Sequence, residues 1–200
     1  MLLPYYIEEG IEAGCDEAGR GPLAGPVYAA AVIWPKDLLI PEIDDSKKLA
    51  EKKRIALRSY IEENALVFAV ASINEEEIDK INILRASIKA MHLALAKLNF
   101  DFDRIIVDGN RFYSYSDIPH HTVIKGDGKY LSIAAASILA KTYRDEYMLE
   151  IHEEYPHYNW KKNKGYPTRE HIEQVLKTGI SPYHRKTFCR KLFIKHGKLF

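Results

Sequence analysis

Apolar residues fall along this chain in two rhythms, and the change from one to the other divides it. Ile11 to Asp16 and Val27 to Trp34 are short apolar runs that read as two strands joined by a glycine turn. Ala29, Ala30 and Ala31 keep the second run small, as expected of a strand packed closely on both faces. The polar segment Asp44-Asp45-Ser46-Lys47-Lys48-Leu49 opens a helix from about Ala50 to Glu63, and Ala65 to Ile73 is a third strand. Beyond it the period becomes helical. Ile78, Ile81, Leu84, Ile88, Met91, Leu95 and Leu98 form one stripe, which predicts a single long amphipathic helix capped by Asn74. Glu75, Glu76 and Glu77 suit the positive end of its dipole. Arg104 to Asn110 is a fourth strand ending in Asp-Gly; Thr122 to Gly128 looks like a fifth, ending in an aspartate between glycines. From Ser132 an alanine-rich helix runs to about Glu154, followed by short helices and loops rich in aromatics and bases.

This order predicts an α/β fold with a mixed five-stranded sheet flanked by helices, antiparallel at its start and parallel beyond the long helix, with a helical C-terminal extension. The expected organisation is one domain over 1–200, in which about 155–200 form a basic, aromatic-rich segment. No repeat or low-complexity linker interrupts it. No apolar run approaches the ~20 residues of a membrane span, and the N-terminus is no signal peptide. Two cysteines are too few for a disulfide framework or a zinc site, so the expected setting is a reducing cytoplasm. The net charge of +1 hides an asymmetry: from Tyr155 on, eleven lysines and arginines face two glutamates, so the rest of the chain carries a net −8. A basic end on an acidic body suggests a polyanionic partner.

Acids recur where strands stop: Asp16 with Glu17, then Asp108, then Asp127, each beside glycine. In open α/β sheets ligands collect beyond the carboxyl ends of the strands. Carboxylates crowded into one cleft repel, and without a Cys/His cluster the natural neutralising partners are hard divalent cations bound through oxygen, Mg²⁺ or Mn²⁺. Two such ions about 3.5–4 Å apart clamp the attacking and leaving oxygens of a phosphoryl displacement. Adjacent residues on a strand face opposite ways, so the first strand is expected to end or twist between Asp16 and Glu17. Gly19 and Gly21, in the turn Gly19-Arg20-Gly21, admit positive φ and let another molecule approach the main chain.

The stretch Asp16 to Val27 (Asp-Glu-Ala-Gly-Arg-Gly-Pro-Leu-Ala-Gly-Pro-Val) closely resembles the signature of the bacterial ribonuclease HII family. So do Asp45-Ser46-Lys47-Lys48-Leu49, Val107-Asp108-Gly109-Asn110 and Lys125-Gly126-Asp127. Ala134 to Lys141 with Thr142, Arg144 and Asp145, Lys164 to Thr168, and Ser181-Pro182-Tyr183-His184-Arg185 continue the likeness from about residue 11 to 188. The resemblance implies an RNase H-like fold. It implies divalent-metal-dependent hydrolysis of RNA in RNA/DNA hybrids, and nicking 5′ to single ribonucleotides in duplex DNA, leaving a 3′-hydroxyl and a 5′-phosphate. The family's acidic positions fall on Asp16, Glu17, Asp108 and Asp127. Tyr166 resembles the family's tyrosine that stacks at the RNA–DNA junction. Bare backbone at Gly19, Arg20 and Gly21 suits recognition of a 2′-hydroxyl, which both donates and accepts. Ser46, Lys47, Lys141, Arg144 and Arg185 are candidate phosphate contacts, which position a duplex without reading its sequence. Asp145, within a helix, is expected to pair with a base, and Cys15 to be a small buried hydrophobe. His184 stands nearest a family motif among the histidines, none of which has a partner suggesting a catalytic dyad.

The expected enzyme acts as a monomer. Two other readings compete with it. One is a nuclease of the same fold with another substrate preference, against which Tyr166 beside the glycine turn argues. The other is a non-catalytic nucleic-acid-binding module, in which four carboxylates facing a phosphate backbone would be repelled.

Overall fold

A computed structural model describes residues 2–40 and 50–197. Strands β1 (Glu12–Ala18), β2 (Val27–Ile33), β3 (Val67–Ile73), β4 (Arg104–Asp108) and β5 (His120–Val123) form one sheet in the order β3-β2-β1-β4-β5. β1–β2 and β2–β3 are antiparallel, whereas β1–β4 and β4–β5 are parallel, so the sheet is mixed as expected. Helix α1 (Glu51–Asn64) links β2 to β3; α2 (Glu75–Ile81) and α3 (Ile83–Ala96) link β3 to β4. After β5 come α4 (Leu131–Glu154), α5 (Trp160–Asn163), α6 (Arg169–Thr178) and α7 (Lys186–Lys195).

Strand alternation sorts the core into two layers. Ala13, Cys15, Ala29, Ala31 and Val107 turn to one face and pack against Ala86, Ala90, Met91, Ala94 and Leu95 of α3. Ala30 and Val32 turn to the other, against Ala134 to Ala140 of α4 and Leu57 and Ile61 of α1. Cys15 is indeed a buried apolar residue, its thiol pushed up by burial. The first ten residues of α4 are buried all round, which explains why that segment carries no polar stripe. It also lies very close to the sheet: a Cβ on Gly14 would stand 2.6 Å from Ile133 N. A third cluster, centred on Trp160, Tyr158, Met148, Val175 and Cys189, fastens α5–α7 to Leu23 and Ala24 of the β1–β2 connection.

Two expectations are corrected. The helix predicted from Asn74 to Leu98 is broken at Asn82, whose φ of 68° is left-handed. The Asn82 side chain accepts from Leu84 N and Arg85 N, capping α3, just as Asn74 caps α2 through Glu77 N. Apolar spacing survives the break because both pieces pack on one face, so periodicity alone did not reveal it. The fifth strand ends at Val123, and Asp127 lies in a 3₁₀ turn (Gly126–Gly128) leading into α4 rather than at a strand end.

Candidate active site

Parallel pairing of Cys15 with Val107 sets Asp108 level with Asp16 on neighbouring strands. Both lie at the carboxyl end of the sheet, beside a cleft of about 380 Å³. Asp16, Glu17 and Asp108 line its floor, Gly19, Arg20 and Gly21 one wall, and Ser137 and Lys141 of α4 with Arg54 of α1 another; Tyr166 stands at its mouth. Ser137, Lys141 and Asp145 succeed one another at four-residue spacing, so one stripe of α4 carries them past the cleft.

Of the expected end or twist between the two adjacent acids, the end does not occur. β1 continues through Ala18, with Asp16 opposite Ala30 and Glu17 opposite Ala29. Asp16 therefore faces α4, where Ser137 hydrogen-bonds to it, and Glu17 faces α3. They share a cleft because β4 ends at Asp108 and leaves the tip of β1 open. Glu17 consequently borders both this cleft and a smaller pocket with Ser87 and Met91 on the α3 side.

Asp16 is buried, at 3% exposure, and its carboxyl is held well above the ordinary carboxylate range. Burial is the first cause, and the charges of Glu17 and Asp108 add to it; hydrogen bonds from Ser137 and Glu17 N oppose it. Asp108 Oδ1 accepts from Gly126 N at 2.7 Å, and Glu17 Oε1 pairs with Arg20 at 3.2 Å. In donor type and charge this group fits a hard divalent cation, which would relieve the repulsion that burial aggravates. As placed, it is not a closed ligand cage: among the described residues no three His, Cys, Asp or Glu side chains converge on one point. Asp127 is buried and does not line the cleft; its turn is tied to Asp108 through Gly126 N.

Arg144 and Arg185, expected on phosphates, are instead turned inward. They are 1% and 0% exposed. Arg144 donates to the carbonyls of Pro26, Lys164 and Ala24 at 3.0–3.1 Å. Arg185 donates to those of Gly25, Arg20 and Gly19 at 2.6–3.1 Å. Burial, with the Arg144 charge second, pulls Arg185 down to about 9, still a cation at neutral pH. Arg185 grips the backbone of the glycine turn itself, and Arg144 the residues that follow it, together with Lys164. Gly19, with φ of 96°, lies directly against Arg144, so a side chain there meets both a strained backbone and the guanidinium. Gly21 has no positive φ, and a Cβ there would make only ordinary contact, 3.6 Å, with the Tyr166 ring.

Lys141 remains at the cleft, paired with Asp145, so Asp145 does meet a base. Burial lowers the Lys141 pKa and the Asp145 charge opposes that. Ser46 and Lys47 lie outside the described residues. Sequence reasoning missed Arg54, whose only signal was a basic residue in the turn of helix that follows the Asp-Ser-Lys-Lys motif.

A mixed sheet of this strand order, with acids at its carboxyl end and a long helix behind them, is the architecture of the ribonucleases H. The fold matches ribonuclease H2 from Pyrococcus horikoshii with a TM-score of 0.74 and 25% identity, over 94% of this chain and 100% of that one. It matches Bst-RNase HIII, solved in complex with Mn²⁺, with a TM-score of 0.74 and 19% identity, over 94% of this chain and 70% of that one. The model of the family "Ribonuclease HII" covers residues 13–196. Ribonuclease HII of Bacteroides thetaiotaomicron is 63% identical over 188 residues, 94% of each chain, and that of Porphyromonas gingivalis is 53% identical over 189. The chain belongs to the ribonuclease HII family and is an endonuclease of the ribonuclease H type. Among the described residues no helix is long and apolar enough to cross a membrane.

Proposed function

We propose that this chain nicks duplex DNA on the 5′ side of a single embedded ribonucleotide, and also hydrolyses the RNA strand of RNA/DNA hybrids. The observation that carries the reading is the meeting, in one cleft, of Asp16, Glu17 and Asp108 with the bare Gly19-Arg20-Gly21 backbone and the Tyr166 ring. Asp16, Glu17 and Asp108 would hold two divalent ions, Mg²⁺ or Mn²⁺, with Asp127 adding to the acidic set from the turn beside Asp108. Bound there, the ions would supply positive charge at a scissile phosphate and activate a water. The protein's own groups do the selecting. Backbone N–H and C=O at residues 19–21 exchange hydrogen bonds with a 2′-hydroxyl, which deoxyribose lacks. Tyr166 stacks where RNA gives way to DNA, and Lys141, with Ser46 and Lys47, meets phosphates. The chain works as one nuclease domain and a cytoplasmic monomer.

Tyr166→Ala tests the selecting step. Cleavage at a single ribonucleotide should fall ~10–100-fold, the worth of one lost stacking contact, while cleavage of a uniform RNA/DNA hybrid falls less than about tenfold. Paired kcat/KM values on the two substrates check it. Equal losses on both would remove Tyr166 from junction recognition.

A further inference from the structure

Tyr166 is 41% exposed and sits between α5 and α6 on a stretch without regular structure, so apolar burial does little to hold it. Its main chain is fixed by hydrogen bonds. Tyr166 N donates to Asn163 O at 2.9 Å, and Tyr166 O accepts from Thr168 N at 2.8 Å and from His171 Nδ1 at 2.9 Å. Gly165, left-handed at φ 82°, presses on Ala24 O, where a Cβ would approach to 2.5 Å. Behind the tyrosine lies a buried polar chain: His171 is 0% exposed and His184 1%.

The protons of that chain follow from its partners. A carbonyl only accepts, so His171 Nδ1 carries the hydrogen that meets Tyr166 O. Trp160 Nε1 donates to His171 Nε2 at 3.1 Å, so that nitrogen is bare. Ser181 N donates to His184 Nδ1 at 3.0 Å, which puts the His184 proton on Nε2, facing His171 Nε2 at 3.2 Å. The Ser181 hydroxyl, 2.9 Å from the same Nδ1, accepts from Tyr183 N at 3.2 Å. These proton positions leave one bare nitrogen on each ring, and each shares its single lone pair: His171 Nε2 between Trp160 and His184, and His184 Nδ1 between the N–H and the hydroxyl of Ser181. Burial pushes both histidines down, His184 to about 3, so both are neutral and the set persists at neutral pH.

We infer that His171 is a positioning residue for Tyr166: its Nδ1–H, oriented by Trp160, His184 and Ser181, sets the direction in which the tyrosine leaves the main chain toward the glycine turn. Apolar side chains of similar volume could fill this space without desolvating two imidazoles and an indole N–H. A polar chain adds a direction, which packing alone does not. His171 is also the third residue of α6, where its N–H meets the Thr168 cap, so the ring ties the helix start to the tyrosine two residues before that cap.

Two measurements test this. In the wild-type protein, ¹⁵N NMR of the imidazoles should show His171 protonated on Nδ1 and His184 on Nε2; the opposite tautomer of His171 overturns the inference. The second compares two variants. Asparagine places an amide donor where Nδ1 stood, and glutamine places its amide where Nε2 stood. His171→Gln should shift the Tyr166 ring resonance and lower the preference for a single ribonucleotide over a uniform hybrid by about tenfold or more. His171→Asn should hold both near wild type, within about threefold. A role in packing alone would lower Tm in both variants and leave the preference unmoved, and that result overturns the inference, as does an equal shift in both. The substrate arm rests on the reading of Tyr166 given above. A wild type without ribonucleotide preference defeats that reading, while the tautomers and the Tyr166 resonance still decide the relay.

Discussion

Asp108→Asn is expected to lose more than ~10³-fold in cleavage rate while melting slightly higher than the wild type when no metal is added. Both halves follow from one observation. Asp16 is buried beside two like charges, so the metal-free site carries a repulsion that the cations are proposed to relieve. Removing the Asp108 charge relieves it permanently, and 1 kcal/mol of relief is ~2–4 °C in Tm for a chain of this size. Asparagine keeps the oxygen that accepts from Gly126 N, so the turn before α4 stays in place. What would be lost is a carboxylate proposed to hold a cation, and with it charge stabilisation worth several kcal/mol; about 4 kcal/mol is a thousandfold in rate. Thermal melts with and without Mn²⁺ check the account. The wild type should gain about 2.7 kcal/mol at a hundred times the dissociation constant, and the variant should gain far less.

Arg185→Ala is expected to cost about 3–5 kcal/mol, or roughly 6–20 °C in Tm, and to depress cleavage of every substrate together. The side chain is fully buried, and its loss orphans the carbonyls of Gly19, Arg20 and Gly25 beneath the glycine turn. Lysine should not rescue it, because one ammonium cannot span three carbonyls as a planar guanidinium does. The salt dependence of duplex binding separates this role from a phosphate contact. Each phosphate neutralised contributes about −0.9 to the slope of log K against log salt. For Arg185→Ala that slope should stay at the wild-type value, whereas for Lys141→Ala it should become shallower by about one.

The two inward arginines show what sequence could and could not disclose. Arg144 and Arg185 sit in motifs rich in polar and basic residues, and a guanidinium satisfied by carbonyls is indistinguishable, in sequence, from one awaiting phosphate. Apart from Lys164, 20 residues from Arg144, their partners lie 118 to 166 residues away along the chain, beyond any local pattern. The acidic floor was more legible: Asp16 and Asp108 each end an apolar run, and parallel pairing of those runs brings them level. Asp127 looked equivalent because Thr122 to Ile124 is apolar enough to extend a strand. The chain turns early instead, with left-handed Lys125 leading into the 3₁₀ turn. Tyr166 beside Gly21 was anticipated from the family resemblance, but the histidines behind it were not. His171 belongs to no quoted motif, and the need for a buried donor appears only once the Tyr166 carbonyl is seen. Asn82 escaped notice because polar residues are ordinary on the outer face of a helix, and only its left-handed φ marks the break.

The central claim is that this cleft cuts at a single ribonucleotide with divalent metal held by its carboxylates. The most direct test is to map, at nucleotide resolution, the products from a DNA duplex carrying one ribonucleotide, with Mg²⁺, Mn²⁺ or EDTA. One nick is expected immediately 5′ to the ribonucleotide, bearing a 3′-hydroxyl and a 5′-phosphate, present with either metal and abolished by EDTA. Cleavage of long hybrids with the single ribonucleotide left intact, or a nick that persists in EDTA, would contradict it.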